Sequence, residues 1–117
     1  MDVTIYHNPG CGTSRNVLQY LRDQGLAPTV VEYLKTPPDR ATLKSLLQKM
    51  KMKPGELLRR KGDVYLSLKL DGPKATDDQI LDAMAAHPIL IERPIVATPA
   101  GVRLCRPWEK VKELVPG

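Results

Sequence analysis

The side chain best suited to covalent chemistry is the thiol of Cys11, which is flanked by Gly10 and Gly12. These residues belong to a turn-forming segment, residues 7–14, that is followed by a helical pattern. Thiols at the start of a helix are acidic, with pKa values of roughly 3.5–7.5 instead of about 8.5. Flanking glycines and exposed helix amides also favour an anion nearby. The segment therefore predicts a nucleophilic thiolate that attacks an electrophilic oxyanion; the alternative is an inert buried cysteine.

Two polar neighbours of Cys11 each allow two interpretations. Ser14 occupies the position of the second cysteine of a Cys-x-x-Cys pair, so a single thiol would need an outside thiol such as glutathione. The Ser14 hydroxyl either donates to the thiolate or caps the following helix. His7 either lowers the thiol pKa as an imidazolium, or only orients the loop or lies at the surface. Neither histidine forms a zinc-type spacing with Cys11 or Cys105, so we expect no metal.

A small tetrahedral oxyanion is bound well by guanidinium groups, because their planar forks stay charged and donate two hydrogen bonds at once. Arg93 precedes Pro94, which confines its backbone to an extended form. Spacing alone does not select among the candidate arginines. Arg59 and Arg60 could simply be cations at the C-terminus of a helix. The candidates are Arg15, Arg59, Arg60, Arg93, Arg103 and Arg106.

The elements that position these residues begin with a strand over residues 2–7, a helix from Ser14 and a strand over residues 29–34. The connection is long enough for parallel pairing of the strands. Asp39 then caps a helix, and Pro54 opens a shorter one that reaches about Arg60. The first of these helices has its apolar residues at helical spacing: Leu43, Leu46, Leu47 and Met50.

The second half of the chain begins with a capping box at Thr76, which opens a helix with Ile80, Leu81 and Met84 inward. Residues 95–98 and 102–106 then predict a β-hairpin, followed by a final helix from Pro107. The order βαβ, helices, ββα is the thioredoxin arrangement. We therefore predict an α/β, thioredoxin-like single domain over residues 1–117, with a mixed sheet and a helical insertion at about 39–87.

Composition excludes several classes of protein. The net charge of +5 comes without a long basic run, so we expect neither nucleic acid nor a membrane surface as a partner. The first residues lack a signal-peptide pattern, and no apolar stretch is long enough to span a membrane. Two cysteines in such a chain fit a reducing cytoplasm. Nothing in the sequence demands a dimer, so a monomer is expected.

Three colinear motifs resemble the glutaredoxin-dependent arsenate reductases. They are HNPGCGTSRN at residues 7–16, HPILIERPIV at 87–96 and LCRP at 104–107. Shorter matches at residues 33–34 and 57–59 extend the likeness over essentially the whole chain.

The resemblance implies that Cys11 attacks arsenate, that His7 assists the thiolate, and that Arg59, Arg93 and Arg106 hold the oxyanion. It implies no bound cofactor: glutathione is a co-substrate that forms a mixed arsenic–thiol adduct, and glutaredoxin reduces this adduct to release arsenite. Arg59 is preferred over Arg60 because it directly follows the Leu57-Leu58 pair.

Two other functions compete with arsenate reduction. A glutathione-dependent thiol reductase of another substrate would keep Cys11 but would not need several arginines. An Spx-type regulator that binds RNA polymerase shares the expected fold but usually carries a Cys-x-x-Cys switch, which Ser14 breaks. The arsenate interpretation is preferred because it uses both the thiol and the arginines.

Overall fold

The structure is a computed structural model that describes residues 1–68 and 75–117. The chain divides into two compact units: residues 1–36 together with 93–117, and residues 37–92. The second unit interrupts the first in the chain, as expected for an insertion at about 39–87, although residues 69–74 of that prediction lie outside the described residues. The single-domain assignment stays a prediction.

The first unit contains a four-stranded mixed sheet in the order β2-β1-β3-β4. Strands β1 and β2 are parallel, with Thr4 opposite Thr29, whereas β3 runs antiparallel to both β1 and β4. This arrangement confirms the predicted α/β, thioredoxin-like fold. The elements are β1 (Thr4–His7), α1 (Gly12–Asp23), β2 (Thr29–Glu32), β3 (Ile95–Thr98), β4 (Gly101–Leu104) and a 3-10 helix (Trp108–Glu113).

The core of the first unit lies between the sheet and the face of α1 that carries Val17, Leu18 and Leu21. These side chains follow helical spacing, so one face of α1 is apolar and is buried against Ile5 and Val96 of the central strands. Burial of each such side chain contributes about 1.5–3 kcal/mol to folding. The start of α1 is thereby held beside the end of β1, where the loop that carries the candidate nucleophile lies.

The second unit is helical. Asp39 accepts a hydrogen bond from the Thr42 amide at 2.8 Å and caps the first helix, and Thr76 and Gln79 form the predicted capping box of the last. Both predicted helix starts are confirmed. The helices are α2 (Arg40–Met50), α3 (Pro54–Leu57), α4 (Asp63–Leu68) and α5 (Asp77–Ala86), followed by a 3-10 turn (Pro88–Leu90).

A short antiparallel contact joins the segment after α3 to the segment before Arg93. Leu58 forms an isolated β-bridge with Ile91, the Arg59 amide donates to the Leu90 carbonyl at 2.7 Å, and the Glu92 amide donates to the Leu57 carbonyl at 2.9 Å. The prediction of a helix from Pro54 to about Arg60 was therefore wrong at its end. The helix stops at Leu57 because the chain pairs with a second extended segment instead.

Three strand boundaries also differ from the predictions. The strand predicted over residues 2–7 begins at Thr4. The strand predicted over residues 29–34 ends at Glu32, whose carbonyl accepts from the amides of Lys35 and Thr36 in a turn. The strand predicted over 102–106 ends at Leu104. The Cys105 amide still donates to the Pro94 carbonyl at 2.9 Å, in register with β3, but Pro94 has no N–H to donate in return. Helix α4 was not predicted.

The final helix is of the 3-10 type. The Arg93–Pro94 and Arg106–Pro107 peptide bonds are both cis. Across residues 1–68 and 75–117, we find no helix that combines the length and apolar character needed to cross a membrane.

Candidate active site

Cys11 is the N-cap residue of α1, and its carbonyl accepts the first hydrogen bond of the helix from the Arg15 amide at 3.0 Å. The helix begins at Gly12, two residues before the start that the sequence indicated. The interpretation of Ser14 as the helix cap was therefore wrong, because Ser14 already lies within the first turn. The thiol is half-buried at the positive end of the helix, where the helix dipole favours a thiolate over a thiol.

Three hydrogen-bond donors surround Cys11 Sγ. Burial by itself raises the pKa of this thiol, but the Ser14 amide and the guanidinium groups of Arg93 and Arg106 donate to the sulfur and lower the pKa to about 7. The Nη1 atom of Arg106 lies 3.7 Å from Sγ. Half of the thiol is thus ionised at pH 7, compared with a few per cent for a free cysteine.

Arg93 is buried, and its surroundings leave part of its guanidinium group unpaired. Within the part of the chain that the structure describes, its Nε and Nη1 atoms are buried without a hydrogen-bond partner. Its carbonyl accepts a hydrogen bond of 3.0 Å from Arg106 Nη1, so the two arginines are joined directly. Buried donors without partners cost about 1–3 kcal/mol each, and an anion beside them would remove that cost.

The hydroxyl of Ser14 is fully buried and forms hydrogen bonds with residues at the end of β1 and directly after it. It lies 2.6 Å from His7 Nδ1 and accepts a hydrogen bond from the Asn8 amide at 3.1 Å. Burial is the main cause that lowers the pKa of His7, and it opposes the charged imidazolium. This geometry fits the alternative in which His7 orients the loop through Ser14. The contact that Ser14 makes with the sulfur comes from its backbone amide.

Asn8 was missed by the sequence reasoning, although it holds the loop together. Its side-chain Oδ1 accepts from the Gly10 amide at 2.8 Å, and its carbonyl accepts from the Cys11 amide at 3.0 Å. Those two amides, which precede α1, are therefore already paired within the loop. The available signal was the sequence Asn-Pro-Gly, since asparagine before such a turn commonly bonds the amide two residues on.

Arg59 lies in the second unit, in the extended segment after α3. It does not end a helix, contrary to one of the interpretations considered above. Its Nη1 atom forms an ion pair of 2.7 Å with Glu92 Oε1, and about a fifth of each side chain is exposed. Glu92 immediately precedes Arg93 in the chain, and it was not anticipated as a partner of Arg59.

The remaining candidate arginines bond to the protein itself. Arg15 donates to the Pro9 carbonyl at 2.8 Å and so links α1 to the loop on its exposed side. Arg60 donates to the Gly55 carbonyl and to the Tyr65 hydroxyl, and Arg103 donates to the Val102 carbonyl. These contacts give the three residues structural roles.

Cys105 is fully buried in the core of the first unit, among the apolar side chains that include Val96 and Val111. Burial raises its pKa to about 12, so the thiol stays protonated at neutral pH. Cys105 therefore packs as a small apolar side chain, in the segment that directly follows β4.

Comparison with known proteins places this chain in a family. Residues 6–114 match the ArsC family. The chain belongs to the ArsC family. An arsenate reductase of Rhizobium meliloti is 51% identical over 99% of this chain and 83% of its own length, and one of Escherichia coli K12 is 51% identical over 98% and 82%. The solved structure of an arsenate reductase from Vibrio cholerae, 43% identical, covers 98% of both chains with a TM-score of 0.93.

Proposed function

We propose that this chain is an arsenate reductase in which Cys11 is the nucleophile. The observation that carries the proposal is the thiol of Cys11, whose sulfur receives hydrogen bonds from Arg93 and Arg106 and whose pKa is about 7. A nucleophile and cations suited to its anionic substrate are thus held together. The arsenate reductases of Rhizobium meliloti and Escherichia coli, each 51% identical to this chain, support the choice of substrate.

In the proposed reaction, the Cys11 thiolate attacks arsenic and displaces one oxygen as water, which forms a sulfur–arsenic(V) bond. Arg93 and Arg106 hold the remaining oxygens, and Arg59 adds a third guanidinium. Planar guanidinium forks suit tetrahedral oxyanions because each fork donates two parallel hydrogen bonds. The Nε and Nη1 atoms of buried Arg93, which have no partner within residues 1–68 and 75–117, supply donors for these oxygens.

Reduction from arsenic(V) to arsenic(III) takes two electrons, and two thiols supply them by forming one disulfide. Cys105 is a poor second thiol, since it is fully buried and has a pKa of about 12. We therefore propose glutathione as the co-substrate whose thiol displaces a second oxygen from arsenic as water, and glutaredoxin as the thiol that attacks the glutathione sulfur. Arsenic keeps the electron pair, and hydrolysis of its bond to Cys11 releases arsenite. No bound cofactor is needed, and the reducing cytoplasm supplies both thiols.

The test is a coupled assay that follows NADPH oxidation in the presence of glutathione, glutathione reductase and glutaredoxin, with and without arsenate. NADPH consumption that depends on arsenate and is lost in Cys11→Ser supports the proposal. Cys105→Ala is the matched control, because it also removes one thiol and should retain activity. Arsenate-independent consumption, or full activity in Cys11→Ser, would contradict it.

A further inference from the structure

The turn that presents Cys11 is held by three hydrogen bonds of Asn8, one from its side chain and two from its main chain. Residues 8–11 form a β-turn in which the Asn8 carbonyl accepts from the Cys11 amide at 3.0 Å. Asn8 Oδ1 also accepts from the Gly10 amide at 2.8 Å. This contact is an Asx-turn, in which an asparagine side chain bonds the backbone amide two residues later. A single residue thus binds two successive amides of the loop.

The third hydrogen bond of Asn8 fastens this turn to the first turn of α1. The Asn8 amide donates to the fully buried Ser14 Oγ at 3.1 Å, and the Ser14 amide donates in turn to Cys11 Sγ. Asn8 is itself buried. Because the bonds of Asn8 reach both sides of Cys11 in the chain, they restrict where the sulfur lies relative to its donors.

Gly10 shows how closely the Asn8 side chain fits the loop. A Cβ atom added at Gly10 would lie 3.2 Å from Asn8 Oδ1, which is tighter than an ordinary van der Waals contact. Since φ of Gly10 is not positive, the absence of a side chain there is explained by this close approach.

We propose that Asn8 is a positioning residue for the nucleophile: its amide oxygen locks the 8–11 turn and so holds Cys11 Sγ against the Ser14 amide and Arg106. Its importance for catalysis rests on the proposed function. Its effect on the acidity of Cys11 does not, because that acidity is measured without substrate.

The test measures the Cys11 thiolate by its ultraviolet absorbance between pH 5 and 9 in Asn8→Ala. Loss of one well-aligned donor to the sulfur should raise the midpoint by about one pH unit. The thiolate fraction at pH 7 would then fall about fivefold, and kcat/KM for arsenate with it, while activity at pH 9 recovers and KM changes less than about twofold. Asn16→Ala, which makes the same change at an exposed position on α1, should leave both quantities as in the wild type.

Asn8→Ser separates the geometry of the turn from simple damage to the fold. Its shorter hydroxyl keeps an acceptor for the Gly10 amide but makes this turn only weakly, so its midpoint should lie between those of the wild type and Asn8→Ala. If Asn8→Ala does not fold, the shift in Asn8→Ser is the measurement that decides.

The proposal is overturned if the alanine or serine variant keeps the wild-type midpoint, or if Asn8→Ser is shifted at least as far as Asn8→Ala. A shifted midpoint in a protein that does not reduce arsenate would uphold the positioning role and reject the proposed function.

Discussion

Replacement of Arg106 tests whether charge alone or the shape of the guanidinium group serves the reaction. Arg106 Nη1 reaches both Cys11 Sγ, at 3.7 Å, and the Arg93 carbonyl, at 3.0 Å. Arg106→Lys keeps the positive charge but replaces the planar fork by a point charge at the end of a shorter side chain. Arg106→Gln removes the charge and keeps a planar group that donates hydrogen bonds.

The expected magnitudes follow from these contacts. A hydrogen bond to a charged group is worth about 1.5–3 kcal/mol, and partial exposure of Arg106 places its bond to the thiolate near the lower end. A loss of about 1.4 kcal/mol raises the Cys11 pKa by about one unit, which lowers the thiolate fraction at pH 7 about fivefold. We expect kcat/KM for arsenate to fall about tenfold in Arg106→Lys, through the lost fork, and further in Arg106→Gln, through the lost charge.

Two measurements separate these effects. Alkylation rate against pH reports the Cys11 pKa, and the coupled NADPH assay reports kcat/KM. Arg103→Lys is the control, since Arg103 is exposed and donates to the Val102 carbonyl. Wild-type kcat/KM in Arg106→Lys would remove the guanidinium fork from the reaction, and an unchanged alkylation midpoint in Arg106→Gln would refute the assigned effect of Arg106 on the thiolate.

Two further predictions concern Cys105 and Glu92. The folded pKa of Cys105 is raised to about 12 by burial, whereas an unfolded thiol titrates near 8.5, so its contribution to stability is present below about pH 8.5 and falls as the pH rises. The free energy of unfolding, measured with denaturant, should therefore fall between pH 8 and 10 by about 2 kcal/mol more in the wild type than in Cys105→Ala. An equal fall in both proteins would contradict the burial of this thiol. Glu92→Gln should lower kcat/KM about two- to fivefold, because it releases Arg59 from an ion pair worth up to about 1 kcal/mol. The exposed Glu109→Gln is its control, and wild-type kinetics in Glu92→Gln would show that the ion pair does not serve Arg59 in the reaction.

Features that depend on nearby residues were predicted well from the sequence. The apolar spacing of residues 43–50 with Asp39 before it, and the capping box at Thr76, specify helices through local bonds alone. The mixed sheet also followed from local signals, since the order of the elements and the length of the first connection restrict how strands pair.

What the sequence did not reveal depends on contacts between distant segments. The bridge between Leu58 and Ile91 ends α3 early and sets Arg59 beside Glu92, although 33 residues separate the two partners of that ion pair. The contact between Arg106 and Cys11 joins residues 95 positions apart. Helical or strand periodicity contains no information about such pairs, so the arginines could be proposed for the site only through resemblance to a family.

The paired amides of the Cys11 loop are not available to the proposed oxyanion, whereas the arginine side chains are. The Gly10 and Cys11 amides are bonded to Asn8, and the Ser14 amide donates to the sulfur, so these three donors are committed before any anion binds. In the proposed reaction, Arg93 and Arg106 face two anions in turn. Before attack they stabilise the thiolate, and as the sulfur–arsenic bond forms, the charge on sulfur disappears while the oxyanion stays charged. The guanidinium groups can therefore shift their interaction from sulfur to oxygen during the step, which favours the adduct without a net loss of paired charge.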